Sequence, residues 1–324
     1  MKKLKDLGER KLLEWIIRRL DECEGASLPP GDDAADMIFE GRLIVSCDML
    51  IEFTDIPKGV NLRDVGFKAI TSATSDIAAK GGKPIAYLIS LALPAEMPVA
   101  AFQELWDGFK EAADLYGGRI IGGDLNSGSE IIIDVTCLGK AGRTVSRLGA
   151  RPGDVLAVTG EFGSQAAGLH ALLNNLRGDR TSEKVIKSFL RPVARVKEAW
   201  ELVKIGAVTS SIDSSDGFAE SLYELGRLND IGFLIENPPI SGHAREYAEK
   251  FNVDLFDLVF YGGEEYELVL TLKPKLISQA VEAVKKAGGR LIIVGKAVEE
   301  KAIKVRWLDG WRTLEEKGYQ HFTS

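Results

Sequence analysis

The sequence predicts a mixed α/β protein of two domains, an N-terminal mixed sheet with helices followed by a C-terminal α/β domain. Three observations carry this. Segments with apolar residues at helical spacing alternate along the chain with short strand-length apolar runs. The chain has 324 residues, 45% of them hydrophobic, and a chain of this length buries roughly three quarters of its unfolded surface and usually divides into two cores. At Gly149–Gly153 the composition turns to glycine, proline and arginine before a new strand begins. The expected domains are therefore 1–148 and 149–324.

In order, Leu12, Leu13, Trp15, Ile16, Ile17 and Leu20 share one face of an opening helix, and the loop Ser27–Asp33 follows. Arg42–Cys47 reads as a strand ending at Asp48. Arg63–Lys80 reads as a helix with Ala69, Ile70, Ala73 and Ile77 inward, stopped by Gly81 and Gly82. Ile85–Leu93 is a strand, Pro98–Tyr116 a helix, and Arg119–Ile121 and Glu130–Gly139 strands. Beyond the boundary, strand Asp154–Thr159 leads into a helix at Ser164–Asn175, and helices fill Ser182–Lys204. Strand Val208–Asp213, helix Gly217–Leu228 and strand Gly232–Ile235 come next. Helices at His243–Leu258, strand Glu267–Leu272, helix Leu276–Ala287 and strand Arg290–Val294 complete the reading.

Charge and cysteine content narrow the function classes. With 41 Lys and Arg against 48 Asp and Glu, the net charge is −7, which disfavours nucleic acid as a partner because phosphate backbones demand a basic face. Cys23, Cys47 and Cys137 form no paired framework, as suits a reduced compartment. The basic N-terminus is interrupted by charges and lacks the apolar core of a signal peptide. The longest apolar stretch, Ile85–Leu93, is far short of the ~20 residues that span a bilayer. A cytoplasmic protein without membrane contact is expected. His170, His243 and His321 form no spaced pair, which argues against a zinc site or a histidine-based triad.

The informative residues are carboxylates set beside glycines: Asp32 and Asp33 after Gly31, Asp48 after Ser46 and Cys47, Asp124 after Gly122 and Gly123, Asp213 and Asp216 before Gly217, and Glu264 and Glu265 after Gly262 and Gly263. Asp76 adds a sixth position, on a helix. Glycine admits close approach of backbone to ligand, and aspartates supply the hard oxygen donors that Mg²⁺ prefers. Taken singly, each has an ordinary reading: a turn, an Asp76–Lys80 pair one helical turn apart, a helix cap at Asp216, solvated charges at Glu264 and Glu265. Together they read as a multi-Mg²⁺ phosphate site. TGEFGSQAAGL (159–169) resembles a phosphate-binding turn but matches neither standard glycine pattern, and helix packing through Ala166–Gly168 explains it equally well. Arg143, Arg147 and Arg151 either clamp phosphate or solvate a loop.

Over nearly its full length the chain resembles the thiamine-monophosphate kinases. The resemblance rests on GDDAA (31–35), SCDML (46–50), SDIAAKGGKP (75–84), IIGGDLNSG (120–128), RLGARPGD (147–154), TGEFGSQAAGL, SIDSSDGF (211–218), GGEEYEL (262–268) and KGYQHF (317–322), in the family's order and spacing. It implies transfer of the ATP γ-phosphoryl group to the phosphate of thiamine monophosphate. It also implies a homodimer whose N-terminal sheets join as a barrel, with an active site between the two domains. By position, Asp33, Ser46, Cys47, Asp48, Asp76, Asp124, Asp213 and Asp216 would surround Mg²⁺ ions. Gly123, Asp124, Arg147 and Ser215 would contact ATP, and Asp55, Glu264 and Tyr319 would line the thiamine side. Asp76, Asp213 and Arg147 would be the catalytic set. An acceptor phosphate that is largely dianionic at neutral pH needs no general base, in keeping with the scarcity of histidine.

Three positions depart from the family pattern. Cys47 stands where Thr is frequent, Asp55 where many relatives have His, and Glu265 where Asp is usual. A thiol is a poor Mg²⁺ ligand, so any contact at Cys47 is through its carbonyl or absent. The alternatives are another ATP-using enzyme of the same superfamily acting on a different small molecule, or a non-catalytic nucleotide- or metal-binding protein.

Overall fold

A computed structural model describes residues 2–22, 25–308 and 310–320. Cys23, His321 and Phe322 lie outside them. The chain forms two compact units, Met1–Ile77 with Lys83–Gly142, and Ala78–Gly82 with Arg143–Ser324. The division follows Gly142, six residues before the composition shift, and the short segment after Ile77 clusters with the second unit.

In the first unit, α1 (Leu4–Leu7) and α2 (Glu9–Ile17) precede β1 (Arg42–Ile51) and the short α3 (Glu52–Asp55). Then come α4 (Leu62–Ala79), β2 (Lys83–Pro94), α5 (Val99–Tyr116), β3 (Arg119–Gly128) and β4 (Ile132–Ala141). The sheet order is β1-β4-β2-β3, antiparallel except for the parallel β2–β3 pair. Strict alternation on β2 and β4 sends Tyr87, Ile89, Leu91, Ile133, Val135 and Cys137 into one core with the apolar faces of α4 and α5. Trp15 of α2 packs edge-on to Phe102 and Trp106 of α5, with ring centroids 5.4 and 5.9 Å apart.

Two strands run further than their sequences suggest. β1 continues through Asp48 to Ile51, and β3 continues through Gly122, Gly123 and Asp124 to Gly128. Asp48 and Asp124 are therefore strand residues, not loop tips. The glycines that read as a turn are instead a close strand crossing: a Cβ on Gly123 would lie 1.8 Å from the Ile89 carbonyl oxygen.

In the second unit, β5 (Val155–Val158), α6 (Ser164–Leu173), α7 (Arg180–Leu190) and α8 (Val196–Lys204) lead to β6 (Val208–Asp213) and α9 (Phe218–Asn229). β7 (Gly232–Ile235), α10 (Gly242–Phe251), α11 (Leu255–Phe260), β8 (Leu268–Leu272), α12 (Ile277–Lys286), β9 (Ile292–Val298), β10 (Ile303–Trp307) and β11 (Gly310–Thr313) follow. The strands form a seven-stranded mixed sheet, β11-β10-β7-β9-β5-β8-β6. β10 and β11 pair antiparallel beyond the last strand expected from the sequence. Phe162, Phe218, Phe260 and Phe256 line up through the core, with neighbouring centroids 4.6 to 5.6 Å apart.

No helix among the described residues is long and apolar enough to cross a membrane.

Candidate active site

Strand parity decides which first-unit residues can act together. Ser46 and Asp48 are two residues apart on β1, and Ser72 and Asp76 are four apart on α4. The rises are ~3.3 Å per strand residue and ~1.5 Å per helix residue, so both spacings are near 6–7 Å. The two pairs match: the Ser46 hydroxyl donates to Asp76 Oδ2, and the Ser72 hydroxyl donates to Asp48 Oδ2 at 3.0 Å. Each carboxylate is thus oriented by a hydroxyl across the strand–helix interface.

Cys47, between them on the strand, points to the other face. Its Sγ donates to Asp134 Oδ2 at 3.1 Å and accepts from Thr136 Oγ1 at 3.6 Å. The Thr136 bond lowers its pKa, but the Asp134 carboxylate that accepts its proton and partial burial outweigh this and hold the thiol above its ordinary range. A protonated thiol turned away from Asp48 and Asp76 is no side-chain partner for them.

Strand register places Met49, Asp134, Ser90 and Asp124 on that same outer face, so Asp124 does not join Asp48 and Asp76 on the helix side. Asp124 instead accepts from Asn126 Nδ2 at 2.9 Å. It lines a cavity of about 960 Å³ together with Gly123, Gly31, Asp32 and Asp33. The first unit therefore presents two acidic groupings, Ser46–Asp48–Asp76 and Asp33–Asp124. Asp55 takes a local role: its Oδ2 accepts from the Ile51 N–H at 2.7 Å and from Thr54 Oγ1 at 2.9 Å, closing the turn that ends β1.

In the second unit three separate segments knit together by backbone bonds. The Glu264 and Tyr266 N–H groups donate to the Ser215 and Ser214 carbonyls at 2.6 and 2.9 Å, Ser214 N–H donates to the Glu267 carbonyl at 2.9 Å, and Tyr319 N–H donates to the Asp216 carbonyl at 2.9 Å. A Cβ on Gly263 would lie 2.5 Å from the Ser215 carbonyl oxygen, so only glycine admits this approach. Ser215, Asp216, Glu264 and Tyr319 are gathered as a result. Asp213, at the end of β6, is buried. Glu264 and Tyr266 have positive φ, 64° and 53°, a left-handed conformation that costs about 1–2 kcal/mol per residue. Arg147 is exposed and its guanidinium contacts Glu224 at 3.4 Å, a pair worth little in water.

Beneath this loop lie two acids in different surroundings. Glu267 receives Arg195 through both carboxylate oxygens, and Thr159 Oγ1 donates to its Oε2 at 2.7 Å. Glu265 is 1% exposed, and its Oε1 accepts the Gly163 N–H at 2.6 Å. Burial pushes the Glu265 carboxyl well above the usual range, and the Gly163 hydrogen bond, nearby Glu267 and Arg195 only modify this. Neither Arg195 nor Ser72 was singled out in the sequence. The signal for Ser72 was its position one helical turn before Asp76. Gly163 N–H is taken by Glu265, and a Cβ on Gly168 would lie 2.2 Å from the Val185 carbonyl oxygen. TGEFGSQAAGL thus packs α6 against α7 and holds the Glu265 loop.

The Glu265 shift makes a stability prediction. The folded state holds the proton more tightly than the unfolded chain, whose value is near 4.5. Its stabilising contribution is therefore complete below that value and is lost as pH rises above it, by up to about 1.4 kcal/mol per pH unit. The Tm of the wild type minus that of Glu265→Gln is expected to fall between about pH 5 and about pH 8. A constant difference across that range would mean that the folded protein holds Glu265 ionised.

The carboxylate and hydroxyl donors are hard oxygens of the kind Mg²⁺ takes. Among the described residues no three His, Cys, Asp or Glu side chains gather closely enough to enclose a metal ion. Such a donor set fits Mg²⁺ bound by one or two carboxylates and completed by substrate phosphates, the ion's habit in phosphoryl-transfer sites.

The comparisons with known proteins agree with this chemistry. The family described as AIR synthase related protein matches residues 31–141 with its N-terminal domain and residues 151–308 with its C-terminal domain. A thiamine-monophosphate kinase of Nitrosopumilus maritimus is 35% identical, the alignment covering 98% of this chain and 99% of that one. One from Pyrococcus horikoshii is 33% identical over 94% of both. The solved structure of AaThiL complexed with AMPPCP and TMP superposes with a TM-score of 0.78 at 28% identity, covering 99% of each chain. With both domains matched in order and relatives aligned nearly end to end, this chain belongs to the AIR synthase related family and, within it, to the thiamine-monophosphate kinases.

Proposed function

We propose that the protein transfers the γ-phosphoryl group of ATP directly to the phosphate of thiamine monophosphate, giving thiamine diphosphate and ADP. The observation that carries this is the end-to-end relation to thiamine-monophosphate kinases, joined to the likeness to a structure holding AMPPCP and TMP. AMPPCP is an ATP analogue whose β–γ bridge resists transfer. The reading is tested by incubating the protein with Mg·ATP and thiamine monophosphate. Thiamine diphosphate is the expected product, and its absence would refute the assignment.

The acceptor phosphate is already largely dianionic at neutral pH, so one of its oxygens can attack the γ-phosphorus without a general base. The obstacle is mutual repulsion of two polyanions. Mg²⁺, when bound, supplies the positive charge that offsets it. We assign Asp48 and Asp76 to one Mg²⁺ ion and Asp213 and Asp216 to another, with Asp33 and Asp124 acting from the cavity wall. The Ser46 and Ser72 hydroxyls keep two of these carboxylates oriented. Gly123, Asp124, Arg147 and Ser215 are assigned to ATP, and the Arg147 guanidinium would take charge from the transferring group.

On the thiamine side we assign Glu264 to the thiazolium cation and Tyr319, 47% exposed, to a ring face. Asp55 would act there through Oδ1, since its turn bonds engage Oδ2. Glu264→Gln is expected to raise KM for thiamine monophosphate by about tenfold with little change in kcat, since it removes a charge partner and keeps the shape. An unchanged KM would remove Glu264 from the substrate site.

We further propose a homodimer joined through the outer face of the first-unit sheet, in the cytoplasm. Leu43, Val45 and Met49 stand 46 to 57% exposed in a row on that face. A monomeric mass by light scattering would refute the dimer.

A further inference from the structure

We propose that Glu265 is a positioning residue for the substrate side of the site, its buried side chain fixing the loop that presents Glu264. The proposal rests on the kinase reading above. Glu265 reaches under the loop to the first turn of α6, where Oε1 takes the buried Gly163 N–H, and its own carbonyl accepts from Gln165 Nε2 at 3.4 Å. Its Oε2 meets no polar partner among the described residues. The charged groups that act on it are Glu267 and Arg195, and these are engaged with each other.

On either side of Glu265 stand the two left-handed residues, Glu264 and Tyr266, each tied by its N–H to the Asp213–Gly217 loop. The backbone bonds hold the loop from one side and the Glu265 side chain holds it from the other. Without that second anchor, the residues at 264 and 266 can relax toward commoner backbone conformations, and the Glu264 carboxylate moves with them. An aspartate at 265 is shorter by one methylene and reaches Gly163 only if the loop shifts. Replacing the carboxyl by an apolar group leaves the Gly163 N–H buried without an acceptor.

The test compares wild type with Glu265→Gln, Glu265→Leu and Glu265→Asp. Measured for each are Tm, KM for thiamine monophosphate, KM for Mg·ATP, and amide hydrogen exchange of the peptide 262–267. Leu is expected to raise KM for thiamine monophosphate about tenfold, hold KM for Mg·ATP within about twofold and speed exchange in that peptide. Gln, which retains the acceptor, is expected to stay within about threefold of wild type, with Asp falling between. A folded Leu variant with unchanged KM for thiamine monophosphate overturns the proposal, and so does an equal rise in both KM values. If the Leu variant does not fold, the Asp variant decides, and an unchanged KM there overturns it. If wild type gives no thiamine diphosphate, the kinase reading fails by itself. The exchange data then judge the anchor, and unchanged exchange in the Leu or Asp variant overturns it.

Discussion

Asp76→Asn and Asp213→Asn are each expected to lower kcat by on the order of 10³-fold. The fold should survive both changes. Asparagine at 76 still offers an oxygen to the Ser46 hydroxyl, and an isosteric change that adds no volume to the core shifts Tm by no more than about 3 °C. Under the proposed assignment, what is lost is one negative charge beside the transferring phosphates, and with it affinity for the cation that neutralises them. The deficit in Asp76→Asn should therefore shrink as Mg²⁺ is raised. Ser46→Ala is the graded control. It leaves the carboxylate and removes only its orienting hydroxyl, so about a 10- to 100-fold loss of Mg²⁺ affinity is expected. Steady-state rates over a Mg²⁺ titration separate these cases. Retention of more than about a tenth of the wild-type rate by both aspartate variants would refute the acidic metal-binding role.

Much of this geometry was legible in the residues. The apolar run Ile85–Leu93 and the helical stripe of α4 predict both elements, and the run Val208–Asp213 predicts β6 at its observed bounds. The hairpin of β10 and β11 was legible but not read: Ile303, Val305 and Trp307 alternate before an Asp-Gly pair at 309–310, a standard hairpin signal.

Other features were not legible, because local chemistry points the wrong way. Gly122 and Gly123 read as a turn, and only their pairing with β2 shows them to be a strand that needs glycine for contact with Ile89. The acids likewise read as one cluster, whereas strand parity separates them. Once Ser46–Asp48 is known to be strand, Cys47 cannot share a face with its neighbours. The positive φ at Glu264 and Tyr266 carries no sequence signal, since it is imposed by bonds to Ser215 and Ser214, about fifty residues earlier in the chain.

The second large effect concerns stability, and it follows from the acid beneath the loop that pairs with Arg195. Arg195→Met is expected to destabilise the protein by about 3–5 kcal/mol, because it strands the Glu267 carboxylate in a buried position without its cation. At about 2–4 °C of Tm per kcal/mol for a unit of this size, thermal unfolding should register the loss clearly. The penalty lies in the abandoned charge, not in the lost attraction, and this sets the pattern of the variants. Glu267→Gln should cost less than Arg195→Met. The remaining guanidinium is a quarter exposed and can reach water, and Thr159 Oγ1 can still donate to the amide oxygen. Arg195→Met combined with Glu267→Gln should recover most of the loss, since no buried charge is left. If the double variant is no more stable than Arg195→Met, packing around the guanidinium stem, and not the stranded carboxylate, is the cause. Because the Glu267 carbonyl also accepts the Ser214 N–H, the same substitution reaches the loop carrying Asp213 and Ser215. The folded fraction of Arg195→Met should accordingly turn over more slowly than wild type, whereas a pair that served stability alone would leave its kcat unchanged.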